Sequence, residues 1–485
     1  MRSGGTRLEA REEIVLVSDI HLNEVVASER EGWWEYKSPL SAHAQDEALR
    51  DFMRSIDQRR PPWFERSVLV MNGDTFDFDT CFSAPDGVAV PDEGLPSTAA
   101  GSAWKMRRIC HDHPIWVAAL SAFLARGNRA IFVMGNHDRE LYFAEVQALL
   151  VDALVAAAPI GQGAQVAARV AFEPWFVYRP GVLYAEHGNQ YDATCSYRDV
   201  LDPSVPASGA IDEEIETPFG SLLGRHTLCR LGTFNPYNDE SFILSLGGYF
   251  DHWRRYYFPK RQFFRAYFRA TWGGIRELRV RGRRQHDRQR AVADPSAAHW
   301  RAYAADKQVT PAFLERQLRL SSKPVVDKMR LMLHEVWLDR FAFILAAVGI
   351  LTAGILLVER WSEVLLLLML VPAFIFVLRA MGRGSLALQE RARWGLVAEA
   401  ITESLDVPVV AFGHSHRPER RPLTRGGRYY NLGSWAPVLE ADQGSPLARA
   451  RRYLVVRPDA NGRVHVVFAR WGAEAEAHDA PSKLG

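Results

Sequence analysis

Cysteine is scarce in this chain: four in 485 residues, at Cys81, Cys110, Cys195 and Cys229, with no Cys-x-x-Cys pair among them. That spacing excludes a disulfide-stapled scaffold and predicts reduced thiols in the cytosol. Net charge is almost absent as well, +2 from 59 basic and 57 acidic residues. The sum hides segregation, because residues 254–290 are rich in Arg while 211–216 (Ile-Asp-Glu-Glu-Ile-Glu) are acidic. The opening stretch, MRSGGTRLEAREE, holds no apolar run, so no secretory leader is expected. No internal repeat is evident, and no GxSxG elbow, Walker A loop or GxGxxG turn stands in a suitable setting. What remains is an ordinary globular composition, 48% hydrophobic and 24% charged. Its length is too great for one simple core and calls for two domains or one domain with a large insertion.

Several short apolar runs end abruptly in polar, ligand-type residues. Ile14–Ser18 leads into Asp19-Ile-His21, and Val68–Asn72 into Gly73-Asp74. Ala130–Met134 leads into Gly135-Asn136-His137-Asp138, Val182–Glu186 into His187-Gly188, and Val407–Phe412 into Gly413-His414-Ser415-His416. Each run has the length and composition of a buried strand. Helix-length stretches, Ala44–Gln58 and Pro114–Arg126, lie between the early ones. The alternation predicts an α/β sheet with its functional crevice beyond the carboxyl ends of the strands. Near the end, Tyr453–Arg457 and Val464–Arg470 flank Asp459-Ala-Asn461-Gly462, a hairpin pattern.

The five polar clusters supply carboxylates, imidazoles and an amide. Phosphoester hydrolysis needs a nucleophilic hydroxide, neutralised phosphoryl oxygens and a proton for the leaving group; two metal ions about 3.5–4 Å apart supply the first two. Mixed nitrogen and oxygen ligands of this kind suit Mn, Fe or Zn. In order and content the clusters resemble the motifs of the calcineurin-like metallophosphoesterases, and the layered α/β sandwich of that family is the fold the resemblance implies. It implies Asp19, His21, Asp74 and His416 on one divalent ion, and Asp74, Asn136, His187 and His414 on the other, with Asp74 bridging. It implies His137 as the acid that protonates the leaving oxygen, with Asp138 orienting it. Asp77 is a candidate supporting carboxylate, and Arg139 a weaker candidate for a phosphate contact. Cys110-His111-Asp112-His113 packs ligand types together, but adjacent side chains rarely converge on one ion, so it reads as a helix-start loop. His43, His252 and His334 read as ordinary histidines.

The 226 residues between His187 and His414 far exceed a loop. They divide the chain into an N-terminal part of the catalytic domain (1–202), a basic and aromatic helical insertion (203–335), an apolar helical hairpin (336–383) and a C-terminal part (384–485). Within the insertion, residues 253–290 mix aromatics such as Trp253, Tyr257, Phe264 and Phe268 with many Arg residues. The pattern suits an anionic lipid surface; nucleic acid, which aromatic and Arg residues also bind, is the alternative. Phe341–Val358 and Val364–Leu378 are uncharged and apolar, and are expected to form a transmembrane hairpin, with a hairpin buried in a helical cap or dimer interface as the alternative. Arg340, Arg379 and Arg383 flank it, which places the catalytic halves on the cytosolic side of the inner membrane. Within the family, the chain is most similar to the UDP-2,3-diacylglucosamine pyrophosphatases, including Asn431-Leu432-Gly433-Ser434-Trp435 after the last motif. That enzyme, however, has Arg in place of His137 and lacks a transmembrane hairpin. A metal-dependent phosphoesterase acting on a lipid-linked pyrophosphate or diester is the expectation, with a nuclease or cyclic-nucleotide phosphodiesterase as the alternative.

Overall fold

The computed structural model describes residues 7–9, 11–25, 39–88, 94–205, 212–225, 272–273, 276, 294–325, 329–335, 338–357, 369–382, 386–436, 451–459 and 461–472. In chain order the strands are β1 (Glu12–Val17), β2 (Arg66–Asn72), β3 (Arg129–Val133), β4 (Val170–Glu173), β5 (Phe176–Arg179), β6 (Leu183–Glu186), β7 (Ser204–Val205), β8 (Glu214–Ile215), β9 (Val409–Phe412), β10 (Glu419–Pro422), β11 (Arg428–Asn431), β12 (Arg452–Pro458) and β13 (Val464–Arg470). The helices are α1 (Pro39–Arg59), α2 (Ala99–Asp112), α3 (Pro114–Ala125), α4 (Ala144–Ala156), α5 (Gly163–Ala168), α6 (Phe219–Leu223), α7 (Ala298–Lys307), α8 (Pro311–Leu320), α9 (Met329–Glu335), α10 (Leu338–Leu357), α11 (Leu370–Gly382) and α12 (Leu386–Leu405).

Among the described residues these strands form two large sheets, one ordered β13-β12-β1-β2-β3-β4 and the other β10-β11-β9-β6-β5, and a two-stranded sheet of β7 and β8. The run β1-β2-β3-β4 is parallel, as are β6-β9 and β9-β11. Parallel strands are buried on both faces, so they read as continuous apolar runs. The alternation of side chains then builds four layers. Ile14, Leu16, Val68, Val70, Ile131 and Val133 face Leu183, Ala185, Val409 and Ala411 between the sheets. Val15, Val17, Leu69, Met71 and Phe132 point the other way and pack beneath α1, α3 and α4 through Phe52, Leu120, Phe123 and Leu150. Tyr184, Val410 and Phe412 form the outer face of the second sheet. They pack against Trp300, Phe313 and Leu314 of α7 and α8 and against Val397 and Ile401 of α12. Thus α7 and α8, which belong to the long insertion, cover a sheet of the catalytic layers. Lys307 of α7 reaches the buried Glu173 at the end of β4.

Local chemistry explains the helix boundaries. The Thr98 hydroxyl accepts from Gly101 N at 3.2 Å to open α2, and Thr310 accepts from Phe313 N at 3.2 Å with Pro311 following to open α8. The Cys110–His113 cluster closes α2 and, with His113 as the N-cap ahead of Pro114, opens α3, as expected of a helix-start loop. His113 is buried, with Nδ1 2.8 Å from Asp46 Oδ1 and Nε2 2.8 Å from Asn23 O, and serves as a structural cross-brace.

The apolar hairpin forms, but it departs from the expected bilayer span. Helices α10 and α11 pack together, with the rings of Phe343 and Phe374 6.0 Å apart, and Arg340 ties their base by donating to Met381 O at 3.2 Å. Among the described residues no helix is long and apolar enough to cross a membrane. The first turn of α10 is occupied by Asp339 and Arg340, and α11 has 13 residues, about 20 Å at 1.5 Å per residue against a core of about 30 Å. The turn at 359–363, Arg383 and nearly all of the 253–290 stretch lie outside the described residues.

Candidate metal centre

Five loops meet where β1, β2, β3, β6 and β9 end. Backbone bonds zip them together: Asp19 N donates to Gly73 O (3.1 Å), His21 N to Asp74 O (2.9 Å) and Gly413 N to His187 O (2.9 Å). Glycine precedes three of the ligand-type residues for a steric reason. A Cβ on Gly73 would lie 2.3 Å from the His187 ring, and one on Gly135 would lie 2.2 Å from Asp74 Oδ1. The backbone itself is strained here. Among the described residues, eight non-glycine residues have positive φ, and five of them are Asp19, His21, Asp74, His414 and His416. Each such conformation costs on the order of 1 kcal/mol, and strain of this kind collects at functional sites.

The side chains converge in two overlapping groups. Asp19, His21, Asp74 and His416 offer ligand atoms within 4.8 Å of one another, and so do Asp74, His187 and His414; Asp74 belongs to both. His21 Nε2 and His416 Nε2 face each other at 3.1 Å, His416 Nε2 lies 3.0 Å from Asp19 Oδ1, and His187 Nε2 lies 3.1 Å from Asp74 Oδ2. Asn136 is buried, and its side-chain Oδ1 has no hydrogen-bond partner among the described residues. A buried amide oxygen left in that state calls for a cation or a donor that the protein does not itself provide. The set of imidazoles, carboxylates and one amide therefore fits divalent ions of the borderline kind.

The electrostatics match that crowding. Burial pushes the Asp74 carboxyl upward, but His187 and His137 outweigh it and hold Asp74 well below the usual range. Burial depresses His21 to about 4, so at neutral pH its ring keeps a lone pair available for a ligand bond. Burial also opposes charge on His187, yet Asp74 and Asp19 raise it to about 9.

His137 sits beside these groups, with its backbone N donating to Asp74 Oδ1 at 2.8 Å. Its Nδ1 lies 3.3 Å from Asp77 Oδ1 and 3.3 Å from Asp79 Oδ2. Burial disfavours its charge, but Asp77 and Asp74, with the bonds to Asp77 and Asp79, raise His137 well above the ordinary histidine value. Sequence reasoning places Asp138 behind His137, and the structure differs. Asp138 instead accepts from Gly135 N at 2.6 Å and from Thr75 N at 2.7 Å, so it staples the β2 and β3 loops. The carboxylate next in sequence points across the loop, whereas those from the β2 loop face the ring. Arg139 is likewise turned inward: it is buried, pairs with Asp79 at 2.8 Å and donates to Asn136 O at 2.6 Å, leaving no arm for a phosphate.

Three residues at the site escape sequence reasoning. Asp79 closes the Gly73-Asp-Thr-Phe-Asp-Phe-Asp79 run, whose spacing of carboxylates was a readable signal. Asp192, five residues after His187, lies with Oδ2 2.9 Å from His414 Nε2; the cluster of Asp192, Cys195 and His414 is tight enough to be a ligand group in its own right. Arg225, from the insertion, reaches Asp79 Oδ1 at 2.5 Å and carries no local signal at all.

A family model described as calcineurin-like phosphoesterase matches residues 13–314, more than half of the chain. The matched stretch holds Asp19, His21, Asp74, Asn136 and His187 and ends ahead of His414 and His416, which the fold returns to the same place. No curated protein matches the chain.

Proposed function

Since the chain belongs to the calcineurin-like phosphoesterase family, hydrolases of phosphoester bonds that use a dinuclear metal centre, we propose that it is a two-metal phosphoesterase working at the cytosolic face of a membrane on a lipid-linked diester or pyrophosphate. The observation that carries the reading is the sharing of Asp74 between both ligand groups. Asp19, His21, Asp74 and His416 would hold one ion; Asp74, Asn136, His187 and His414 would hold the other. Mn suits this donor set, with Fe and Zn as alternatives. When bound, the ions supply an activated hydroxide and neutralise the phosphoryl oxygens. The chain's own part is to place the phosphoryl group over Asp74 and to deliver a proton. His137, whose Nδ1 is engaged by Asp77 and Asp79, offers Nε2 to the leaving oxygen.

The membrane part of the proposal rests on the hairpin. Leu345, Val348, Leu356, Leu357, Met369 and Phe376 are all exposed, from 55% to 83%. Apolar groups exposed on several sides of both helices suit a lipid layer better than one flat protein partner. A hairpin too short to span can still dip into one leaflet. Arg379 in the last turn of α11 would meet the headgroups, and thiols as scattered as Cys81 and Cys110 suit a reducing compartment. The similarity to the UDP-2,3-diacylglucosamine pyrophosphatases motivates the lipid-linked substrate.

Metal analysis of the purified protein, combined with hydrolysis of bis-p-nitrophenyl phosphate, a UDP-linked lipid, cyclic AMP and single-stranded DNA, tests the proposal. We expect two ions per chain and turnover that chelation abolishes and metal restores. Preference for cyclic AMP or DNA over the lipid would overturn the substrate, and full activity without metal would overturn the mechanism. Failure to float with anionic vesicles would remove the membrane.

A further inference from the structure

The basic insertion reaches the proton donor through a buried chain of charges. Asp79 divides its two oxygens: Oδ2 lies 3.3 Å from His137 Nδ1 and accepts from Arg139 at 3.1 Å, while Oδ1 accepts from Arg139 at 2.8 Å and from Arg225 Nε at 2.5 Å. Arg225 extends further, donating to Ser97 Oγ at 2.9 Å and lying 3.5 Å from Glu140 Oε1. Asp79, Arg139, Glu140 and Arg225 are all buried. Two carboxylates and two guanidinium groups pair in this cluster, and the buried Lys105 adds a cation that interacts with Arg225, Glu140 and Asp79.

We propose that Asp79 is a positioning residue for His137, and that Arg225, supplied by the insertion, completes the clamp that aims the imidazole at the leaving oxygen. Three features carry this. Asp77 alone fixes one direction at Nδ1, and a second carboxylate at the same distance fixes the plane of the ring. Planar forks from Arg139 and Arg225 hold Asp79 more rigidly than a single cation does. Finally, Arg225 stands just after α6, near the start of the insertion, so seating of that segment and aim of the acid are one event. In the step it serves, the attacking oxygen forms a bond to phosphorus and the bond to the leaving oxygen breaks with its electron pair. That oxygen then takes the proton from His137 Nε2.

The inference rests on His137 being the acid, so the experiment includes His137→Ala as a reference. Asp79→Asn, Arg225→Met and Arg225→Lys are assayed as metal-loaded full-length enzymes on an alkyl phosphoester, whose leaving group needs a proton, and on a nitrophenyl ester, whose leaving group does not. Misaiming a catalytic group costs about 10–100-fold. We expect kcat on the alkyl ester to fall by that factor in Asp79→Asn and Arg225→Met, with less than about a threefold change on the nitrophenyl ester and unchanged metal content. Arg225→Lys, which keeps the charge without the fork, should recover part of the loss. Should Arg225→Met fail to fold, Arg225→Lys decides, through the same selective loss in milder form. Equal losses on both esters, or no loss, alongside a selective His137→Ala, overturn the clamp alone. A His137→Ala variant that is itself unselective removes the acid and the clamp together.

Discussion

Replacing Asp192 with Ala tests whether His414 is a ligand held in place by its own partner. The carboxylate is prepared for that task. Its Oδ1 accepts from Thr194 N at 2.7 Å and from the Thr194 hydroxyl at 2.6 Å, which leaves Oδ2 aimed at His414 Nε2, 2.9 Å away. With Nε2 engaged, the other ring nitrogen is the one left for a metal ion, and a carboxylate behind a ligating imidazole fixes both tautomer and direction. A hydrogen bond to a charged group contributes about 1.5–3 kcal/mol. At about 1.4 kcal/mol per tenfold, that is about 10–150-fold in affinity. Trp394 and His187 still pack against the ring, with centroids 6.1 and 5.2 Å away, so the lower half of that range is expected. The assay is metal retained per chain across a series of metal buffers, with activity at saturating metal as the control for folding. Asp192→Ala should need about 10–50-fold more free metal for half occupancy, while Asp192→Asn, which keeps an acceptor oxygen, should lose far less. Wild-type occupancy in the Ala variant would refute the positioning argument. An Asn variant as weak as the Ala variant would refute it differently, by making the Asp192 carboxylate itself a ligand.

Other outcomes follow from the same geometry. Asp74→Asn should release both ions and abolish turnover, since Asp74 is the shared member of the two ligand groups; two ions counted in that variant would contradict the bridge. Gly135→Ala should fold yet lose metal or at least about 100-fold in kcat, because the new Cβ drives Asp74 Oδ1 from 2.2 Å to an ordinary contact; wild-type kinetics would show that the loop yields freely. Lys307→Met leaves Glu173 buried without its cation and should cost about 3–5 kcal/mol, read as a lowered melting temperature; an unchanged melt would mean that α7 does not depend on the pair.

What sequence reasoning could and could not reach follows from range. Each strand end at the site is a local event, an apolar run broken by a polar group, so β1, β2, β3, β6 and β9 were readable one segment at a time. The hairpin β12–β13 was readable for the same reason. The partner of His137 was not, because Asp138 is its neighbour in the chain while Asp77 and Asp79 are its neighbours in space. Arg139 failed likewise: a basic residue beside a ligand motif resembles a phosphate contact until burial places Asp79 against it. The transmembrane hairpin is not supported, since among the described residues no helix is long and apolar enough to span and α11 is described only over Leu370–Gly382. Membership of α7 and α8 in the catalytic layers could not be foreseen, because it depends on which face of the second sheet lacked cover.

The parallel neighbours β6 and β9, with Leu183 opposite Val409, bear on how such a chain can change over evolutionary time. Parallel strands require a crossover from the carboxyl end of one to the amino end of the next. Helix α12 makes the return leg and delivers the chain directly into β9. Everything between Asp202 and Leu386 is therefore an excursion from one crossover, and length added or removed there need not change the register of either large sheet. That makes the crossover a natural grafting point, where a lineage could exchange whatever meets the substrate while keeping the hydrolytic centre. The graft is not free of the host, however. A replacement must still shield the outer face of the second sheet, as α7 and α8 do, and must balance the charge that Arg225 now balances at Asp79. These two demands define the smallest insertion that the scaffold would accept.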